Sequence, residues 1–375
     1  MLGNGTLLLE NINCKMKASK VLMVGALPPP VHGMAKINQY MSLILNGKTK
    51  VYLVNISPKS QFTFIQFILK GLNAINKSFW SLRSFKKWDV LYVGLSGGLG
   101  QIYETFFILI ARIFKKRIFL HHHSFAYINQ HKIHFRILCL ISGRQSIHLT
   151  LSEGMSKKLM SKYSSIKCTR VVSNSAFIDS DKLSENIFND RLKIGFLSNI
   201  SFEKGISLFF ETVERLIEEG VSVDVKIAGP FEDKKVEKYV LTKLKKISTV
   251  QYLGAIYGDD KEKFFNEINI LLFPTQYRNE AEPLIIHECF SYGIPVISLD
   301  RGCISEIMSD FPYLCISERS RFIKESVDII KRDFQSVDSI NKLSRKVNLS
   351  FNSQKSLAKK NLKKLLDEII IGKNL

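Results

Sequence analysis

The chain has 375 residues, of which 45% are apolar and 23% are charged. This composition is typical of a globular protein with two or three domains, and it excludes a wholly disordered or collagen-like chain. Lysine and arginine outnumber aspartate and glutamate by 54 to 34. The resulting excess of +20 favours a polyanionic partner: nucleic acid, an anionic membrane surface or a phosphate-rich ligand.

The sequence has no pattern of export or of membrane crossing. Its first 20 residues lack the basic start of a signal peptide, and no run approaches the roughly 18 apolar residues of a spanning helix. The 6 cysteines are scattered without a CxxC pair, as in proteins of a reducing compartment. We therefore expect a cytoplasmic protein, with peripheral attachment to a membrane left open.

Six short apolar runs in the first half predict buried β-strands, and helix-like segments follow several of them. The runs are Lys20–Gly25, Val51–Ile56, Asp89–Val93, Arg117–Leu120, Ile147–Leu151 and Val171–Val172. Strands that alternate with helices indicate parallel strands joined by βαβ crossovers.

Polar residues cluster over Asp179–Asp190 and predict a linker, after which the pattern restarts. The final 30 residues are lysine-rich, with apolar spacing that suits a helix. The expected fold class is therefore α/β, with two halves of about six strands each. The predicted strands of the second half are Leu192–Leu197, Val223–Ala228, Val250–Leu253, Ile268–Phe273, Ile294–Ser298 and Tyr313–Ile316.

Two glutamates eight residues apart, Glu280 and Glu288, form the most specific pattern. Glu280 follows the predicted strand Ile268–Phe273, at the strand end where open α/β sheets bind ligands. Glu288 falls on the next helix, whose start offers free N–H groups. A carboxylate here can accept hydrogen bonds from the vicinal hydroxyls of a ribose. The alternative is a capping acid and a solvated helix acid, because most charged residues are simply exposed.

This block resembles the donor-site motif of the family-four retaining glycosyltransferases, which have the GT-B fold. The family often has EGFGL where this chain has EAEPL at positions 280–284. The resemblance covers residues 20–310. It implies that Glu280 lies by the transferred sugar, that Glu288 holds the ribose, and that Pro283 and Leu284 belong to the donor-binding loop.

Lys204 and Gly205 follow the first strand of the second half and precede a predicted helix. A lysine beside a helix start is a point charge for a phosphate, although most of the 54 basic residues must be ordinary surface residues. By resemblance, Lys204 neutralises the donor diphosphate. Asn199, a further donor-site position, stands where the family usually has an arginine, and Arg301 on a later loop is the candidate to replace that charge.

Two features of the first half extend the resemblance. Gly33, in the proline-rich loop after the first strand, resembles the family's glycine loop, which faces the donor phosphate; an ordinary strand–helix turn is equally compatible. Among three consecutive histidines, His121 and His123 share one face of an extended chain. The resemblance places His123 near the donor sugar, with His121 as second choice, and matches Asn174 to a structural asparagine before the linker. A zinc site is not expected, because no further ligands occur at suitable spacing.

Two other segments have a less specific composition. Gln61–Trp88 mixes aromatic and basic side chains, which suits either an interfacial segment on anionic lipid or a core helix with a solvated basic face. The glycines of Gly94–Gly100 fit neither a dinucleotide-binding nor a phosphate-loop spacing, and they predict a close-packed strand–helix turn.

The resemblance implies two Rossmann-like domains facing a cleft. Residues 1–185 form the acceptor side, residues 186–345 bind the nucleotide sugar, and residues 346–375 form a helix that crosses back to the first domain. The implied enzyme needs no cofactor and no metal. It moves a sugar from a UDP- or GDP-sugar to a hydroxyl with retained configuration, using Glu280, His123 and Lys204 as catalytic residues. The expected setting is the synthesis of surface polysaccharide (capsule, lipopolysaccharide O-antigen or exopolysaccharide) on a lipid carrier.

Three alternatives stay open. A GT-B epimerase or hydrolase would release nucleotide without an acceptor. A non-catalytic relative of a transferase is compatible with Asn199 and the altered loop at Glu280. A nucleic-acid-binding protein would suit the charge, but no RNP-like or helix-turn-helix motif is present, so a nucleic acid partner is not expected.

Overall fold

A computed structural model describes residues 18–57, 84–178 and 191–372. The first half forms a six-stranded parallel sheet with the strand order β2-β1-β3-β4-β5-β6. Val21 on β1 pairs with Val51 on one side and with Val90 on the other. The strands are β1 (Val21–Gly25), β2 (Val51–Asn55), β3 (Val90–Leu95), β4 (Arg117–His122), β5 (Ile147–Thr150) and β6 (Cys168–Val171).

Helices connect these strands, as parallel pairing requires. Helix α1 follows β1, α2 follows β3, and α3 and α4 lie between β4 and β5. The helices of this half are α1 (Gly33–Asn46), α2 (Gly100–Ile113), α3 (Ala126–Asn129), α4 (Ile133–Ser142) and α5 (Glu153–Lys162).

The second half forms another six-stranded parallel sheet, with the order β12-β11-β10-β7-β8-β9. Its strands are β7 (Leu192–Leu197), β8 (Val223–Ala228), β9 (Val250–Tyr252), β10 (Ile270–Phe273), β11 (Val296–Leu299) and β12 (Cys315–Ile316). Its helices are α6 (Ile206–Glu218), α7 (Lys234–Lys246), α8 (Gly258–Asn266), α9 (Leu284–Ser291), α10 (Ile304–Ile307), α11 (Phe322–Asp333) and α12 (Val337–Ile371).

The central strands are buried on both faces, which is why they appear in the sequence as unbroken apolar runs. Every residue of β1 and of β3 is buried. Along β1, Leu22 packs in one core cluster with Phe107 of α2, whereas Val21 packs in another with Ile369 of α12. Alternate residues therefore point to opposite faces of the sheet.

Helix α12 crosses from the second sheet to the first. Near its start Ile340 and Val347 lie in the core of the second half, and near its end Leu365 and Ile369 lie in a core cluster of the first half. The bidentate ion pair of Arg170 with Glu368 (3.1 and 3.2 Å) and a hydrogen bond of 2.6 Å from Arg117 to the Glu368 carbonyl fix this end. The predicted crossing helix is thus present, and it is longer than expected.

The twelve predicted strands are all present, with differences at their ends. Strand β4 continues through His122, so two of the three histidines lie inside the sheet rather than after it. Gly94 lies inside β3, and a Cβ there would stand 2.2 Å from Asn38, which shows the close packing expected of the glycine-rich stretch. Pairing with β3 and β5 extends β4 further than its apolar run alone predicts.

Some predictions concern parts of the chain that the structure does not describe. The linker Asp179–Asp190 lies outside the described residues, and so does Gln61–Trp88 except for its last five residues. The division at 185/186 falls in the same undescribed linker, and the division at 345/346 falls within the single helix α12. The domain limits therefore stay a prediction. No helix in the described ranges is long and apolar enough to cross a bilayer.

Candidate functional site

Lys204 lies in the loop between β7 and α6 and points to the end of β10. Its Nζ is 2.5 Å from Oε2 of Glu280 and 4.9 Å from the centre of the Tyr277 ring. The loop is held by a hydrogen bond of 3.0 Å from the Lys204 amide to Ser201 Oγ. The Lys204 side chain is about a quarter exposed, so one side of it still faces solvent.

Glu280 is buried in the loop between β10 and α9. Besides Lys204, its Oε2 accepts a hydrogen bond of 3.1 Å from Thr275 Oγ1. The backbone of this loop is packed against Gly302, where a Cβ would stand 2.4 Å from the carbonyl oxygen of Glu280. Because Arg301 precedes that glycine, its backbone lies beside the Glu280 loop; its Nη1 donates to the Asp300 carbonyl at 2.6 Å. The loop ends at Pro283, the cap of α9, and Leu284 is the first residue of that helix.

Glu288 lies one turn inside α9, and lysines from both halves of the chain reach it. Lys261 of α8 places its Nζ 2.6 Å from Oε2, and Lys36 of α1 places its Nζ 3.7 Å from Oε1. Two ammonium groups therefore contact the carboxylate that the resemblance assigns to a ribose. With 16% of its side chain exposed, the carboxylate keeps one solvent-facing side.

The first half contributes histidines to the facing edge. The rings of His121 and His123 are 4.1 Å apart, which confirms that they share a face. Burial, with His121 and His32 close by, lowers the pKa of His123 well below its usual value, so the ring is neutral. Its buried Nε2 has no hydrogen-bond partner among the described residues. His121 is different, because its Nδ1 is hydrogen-bonded to the Tyr92 hydroxyl at 2.6 Å inside the sheet.

Gly33 opens α1 directly after His32, whose Nδ1 accepts a hydrogen bond of 3.3 Å from the Ala35 amide. A Cβ at Gly33 would meet nothing within 4 Å, so the helix start faces open space. Asn199 is exposed in the loop after β7. These two positions are open to a ligand, but no contact joins either of them to Lys204 or Glu280.

A main-chain hydrogen bond joins the two sides of the site. The Phe125 amide, two residues after His123, donates to the Asn279 carbonyl, one residue before Glu280, at 3.3 Å. The structure therefore brings together the Lys204–Glu280 pair and the loop of His123, at the carboxyl ends of strands from both sheets, and Glu288 follows one turn into α9.

Glu282 was not among the predicted site residues, yet it joins the two halves of the chain. Its buried carboxylate accepts hydrogen bonds from the Asn174 amide (2.6 Å) and from Ser173 Oγ (2.5 Å). It is also 2.9 Å from Nε2 of His287 on α9. The Asn174 side chain donates to the Glu282 carbonyl at 2.8 Å, which supports a structural role for that asparagine.

Lys36 and Lys261 were also missed. Both look like ordinary surface lysines in the sequence, and only the packing of α1 and α8 around α9 shows that they converge on Glu288. The sequence marks Lys204 as the one obvious cation of the site. The structure adds these two ammonium groups within reach of the same edge.

The site can stabilise negative charge without a side chain acting as a strong base. Lys204 and the two lysines at Glu288 supply positive charge, and neutral His123 offers a nitrogen that can donate or accept a hydrogen bond. A partly buried ammonium group and helix N–H groups aimed at developing charge are the elements of electrostatic catalysis. Within the described ranges, no three His, Cys, Asp or Glu side chains gather as metal ligands.

Comparison with known proteins shows what the second half of the chain resembles in sequence. Residues 177–347 match the family model of Glycosyl transferases group 1. No curated protein matches the chain in sequence.

Several solved structures are similar over most of the chain. HepE of Anabaena in complex with UDP-glucose is 12% identical, with 93% of this chain and 100% of that chain covered and a TM-score of 0.66. Sucrose-phosphate synthase from Thermosynechococcus elongatus is 10% identical, with 94% and 99% covered and a TM-score of 0.71. The pneumococcal O-GlcNAc transferase GtfA, in complex with UDP and GlcNAc, is 11% identical, with 75% and 56% covered and a TM-score of 0.57. The chain therefore has the GT-B fold, and its second half carries the sequence pattern of group 1 glycosyl transferases.

Proposed function

We propose that this protein is a retaining glycosyltransferase that moves a hexose from a nucleotide-diphosphate sugar to a hydroxyl of a lipid-linked glycan. The observation that carries the proposal is the Lys204–Glu280 pair, which stands where α6 starts and where the loop after β10 turns back. Glu280 and Lys204 were expected from resemblance to serve the sugar and the diphosphate. The 2.5 Å contact between them supports a common site for both groups.

In this proposal the donor lies between the two sheets. Lys204 neutralises charge that develops on the diphosphate as the bond to the sugar breaks, while Glu280 and His123 contact the sugar. Glu288 accepts hydrogen bonds from the ribose hydroxyls, and Lys36 and Lys261 hold its carboxylate in position. Pro283, Leu284, Gly33 and Asn199 line the donor site.

Lys204 is the positive charge that the proposal assigns to the donor diphosphate. We expect Lys204→Ala to weaken binding of the preferred nucleotide diphosphate about tenfold or more, because a charge-assisted contact is lost. Calorimetric titration with UDP, GDP and ADP measures this loss and identifies the preferred nucleotide. We expect it to be UDP, because the complexes of HepE and GtfA contain UDP. Lys238→Ala, which removes an exposed lysine of α7, is the matched control and should bind as the wild type does.

Measurements of nucleotide binding, nucleotide release and product configuration also distinguish the alternative functions. Absence of binding to all three nucleotides would contradict the donor site. Release of free nucleotide from a nucleotide sugar without an acceptor would favour an epimerase or hydrolase. Transfer with the donor's anomeric configuration, read from the product by NMR, would establish retention.

The biological setting belongs to the same proposal. A lipid-linked acceptor in surface polysaccharide synthesis would place the enzyme on the inner face of the cell membrane, as a peripheral protein. The basic composition of the chain is compatible with an anionic lipid surface.

A further inference from the structure

The outer surface of the first sheet carries two neighbouring helices whose exposed positions are apolar. Helices α2 and α4 pack side by side. The apolar residues on their outer side are 41% to 64% exposed: Ile102, Phe106, Leu109, Ile113, Ile133, Ile137 and Leu140. A helix on a sheet normally turns polar residues to solvent. We call these seven side chains, with the exposed basic residues of the same two helices, the α2–α4 face.

The remaining exposed positions of these two helices are basic. They are Arg112 on α2 and Arg136 on α4. By contrast, the exposed positions of α6 in the second half are three charged residues, two of them acidic, and one isoleucine. The α2–α4 face is thus apolar and positive, with no exposed acidic residue to balance it.

The same asymmetry runs through the whole sequence. Between Glu104 and Glu153 there are seven basic residues and no acidic one. Residues 1–178 contain 24 basic and 4 acidic residues, whereas residues 179–375 contain 30 of each. The net charge of +20 therefore belongs to the first half alone, while the second half is neutral.

A cavity of about 490 Å³ opens where α2 and α4 end, and cations line it. Its walls include Arg112, Lys115, Lys116 and Arg117, with Ser142 and Ser146 opposite. Arg117 is engaged with the carbonyls of α12. The other three make no ion pair with any described residue, and Lys116 Nζ lies 5.4 Å from the centre of the Trp88 ring. Arg112 and Lys115 are exposed, so their charge is available to an anion.

We propose that the α2–α4 face docks on an anionic lipid bilayer, with its apolar side chains at the headgroup boundary and a lipid phosphate in the basic cavity. Apolar area combined with basic residues is the combination that gives stable interfacial binding. A second copy of this chain fits poorly, because a two-fold dimer through this face would oppose two acid-free basic segments. Nucleic acid also fits poorly, since seven exposed apolar side chains offer nothing to a phosphate backbone.

The α2–α4 face lies beside the cleft, so docking there would bring a lipid-linked acceptor to the site. This step rests on the proposed function. Helix α2 begins at Gly100, just beyond the carboxyl end of β3, and the exposed Leu99 stands at that start. A bilayer along the face would therefore extend to the edge of the site and present a lipid-linked acceptor there.

The test uses the full chain and vesicles, without any substrate. Sedimentation with vesicles of phosphatidylcholine alone, or with added phosphatidylglycerol, measures binding at low and high salt. We expect the wild type to bind vesicles with phosphatidylglycerol and to be partly released by salt. The double substitution Leu109→Glu and Leu140→Glu should weaken this binding about tenfold or more, because it removes apolar contact and adds negative charge. Leu241→Glu, on α7 at 43% exposure, is the matched control and should bind normally.

Two further measurements make the result decisive. Arg112→Ala with Lys115→Ala should lower binding to phosphatidylglycerol vesicles several-fold and reduce its dependence on salt. Nucleotide binding by every variant should match the wild type, which separates failure of docking from failure of the donor site. No vesicle binding by the wild type, or equal binding by the leucine double variant, would overturn the proposal; so would a dimer that the double variant dissociates.

Discussion

Three buried histidines lie together at the end of β4 and in β5, with no acidic partner among the contacts that hold them. His122 is hydrogen-bonded to Tyr127 (2.8 Å) and to His148 (2.9 Å), and His148 is also 3.2 Å from Ser146. Burial lowers the pKa of His148 to about 3, and a similar burial, with His122 beside it, lowers the pKa of His121 to about 3. These rings are therefore neutral in the folded protein near pH 7.

This neutrality makes stability depend on pH. The unfolded chain takes up a proton at each histidine below about pH 6.5, whereas the folded chain does not until about pH 3. The free energy of unfolding should thus fall as the pH drops, by about 1.4 kcal/mol per histidine between pH 7.5 and 5.5. Urea denaturation at the two pH values measures the fall, and in His148→Gln it should be smaller by that amount.

The exposed His131 supplies the control. His131→Gln should leave the difference between the two pH values as it is in the wild type. An undiminished fall in His148→Gln would contradict the lowered pKa of this residue.

The start of α6 depends on a glycine. Gly205 caps the helix with φ +86°, and a Cβ there would stand 1.9 Å from the carbonyl oxygen of Pro274. The loop that carries Lys204 is therefore pressed against the loop that follows β10. This contact explains how the ammonium group and Glu280 come to lie 2.5 Å apart.

Gly220, at the other end of α6, has almost the same φ (+80°), but a Cβ at this position would meet no atom within 4 Å. Gly220→Ala should therefore lower the free energy of unfolding only by the backbone strain, about 1 kcal/mol. Gly205→Ala carries the same strain and also a clash with the Pro274 backbone. We therefore expect it to lower the free energy of unfolding by about a further 2 kcal/mol and to weaken nucleotide binding. Thermal denaturation with calorimetric titration checks both; equal effects of the two substitutions would show that the Pro274 contact is unimportant.

Strands were easier to predict than helices, for reasons visible in particular elements. The parallel strands are buried on both sides, so runs such as Val90–Leu95 are apolar throughout. Among the described residues, four helices of nine or more residues were not predicted: α4, α7, α8 and α11. In α4 the solvent side is apolar, so this helix lacks the usual amphipathic pattern. In α7 only Val236 and Val240 are fully buried, so its apolar stripe is short and lies among lysines.

The candidate site was predictable only where its residues belong to a local motif. Glu280, Glu288 and Lys204 stand in short segments at strand ends, and the structure places all three at one edge. The lysines at Glu288 and the contact of Glu282 with Asn174 depend on how separate parts of the chain pack. No spacing in the sequence encodes such contacts, because Lys261 and Lys36 are 27 and 252 residues away from Glu288 along the chain.

Helix α12 completes the core of the first half. Leu365 is 2% exposed in the cluster that contains Val21 and Met23, whereas Leu357, on an outer side of the same helix, is 61% exposed. Leu365→Ala should lower the free energy of unfolding by about 2–4 kcal/mol, and Leu357→Ala by less than about 0.5 kcal/mol. Urea denaturation followed by tryptophan fluorescence reports on this half, where Trp88 is fully buried. Equal stability of the two variants would mean that α12 does not support the first sheet.

The path of α12 delays completion of the first half during protein synthesis. Val21 leaves the ribosome 348 residues before Ile369, its partner in the same core cluster. At the usual speed of synthesis this delay is roughly 20–70 s. Throughout that time one side of the first sheet lacks the helix that covers it, while the second half is still being translated. The nascent chain therefore carries an apolar surface that a ribosome-associated chaperone would recognise, and the first half reaches its final form only after the second.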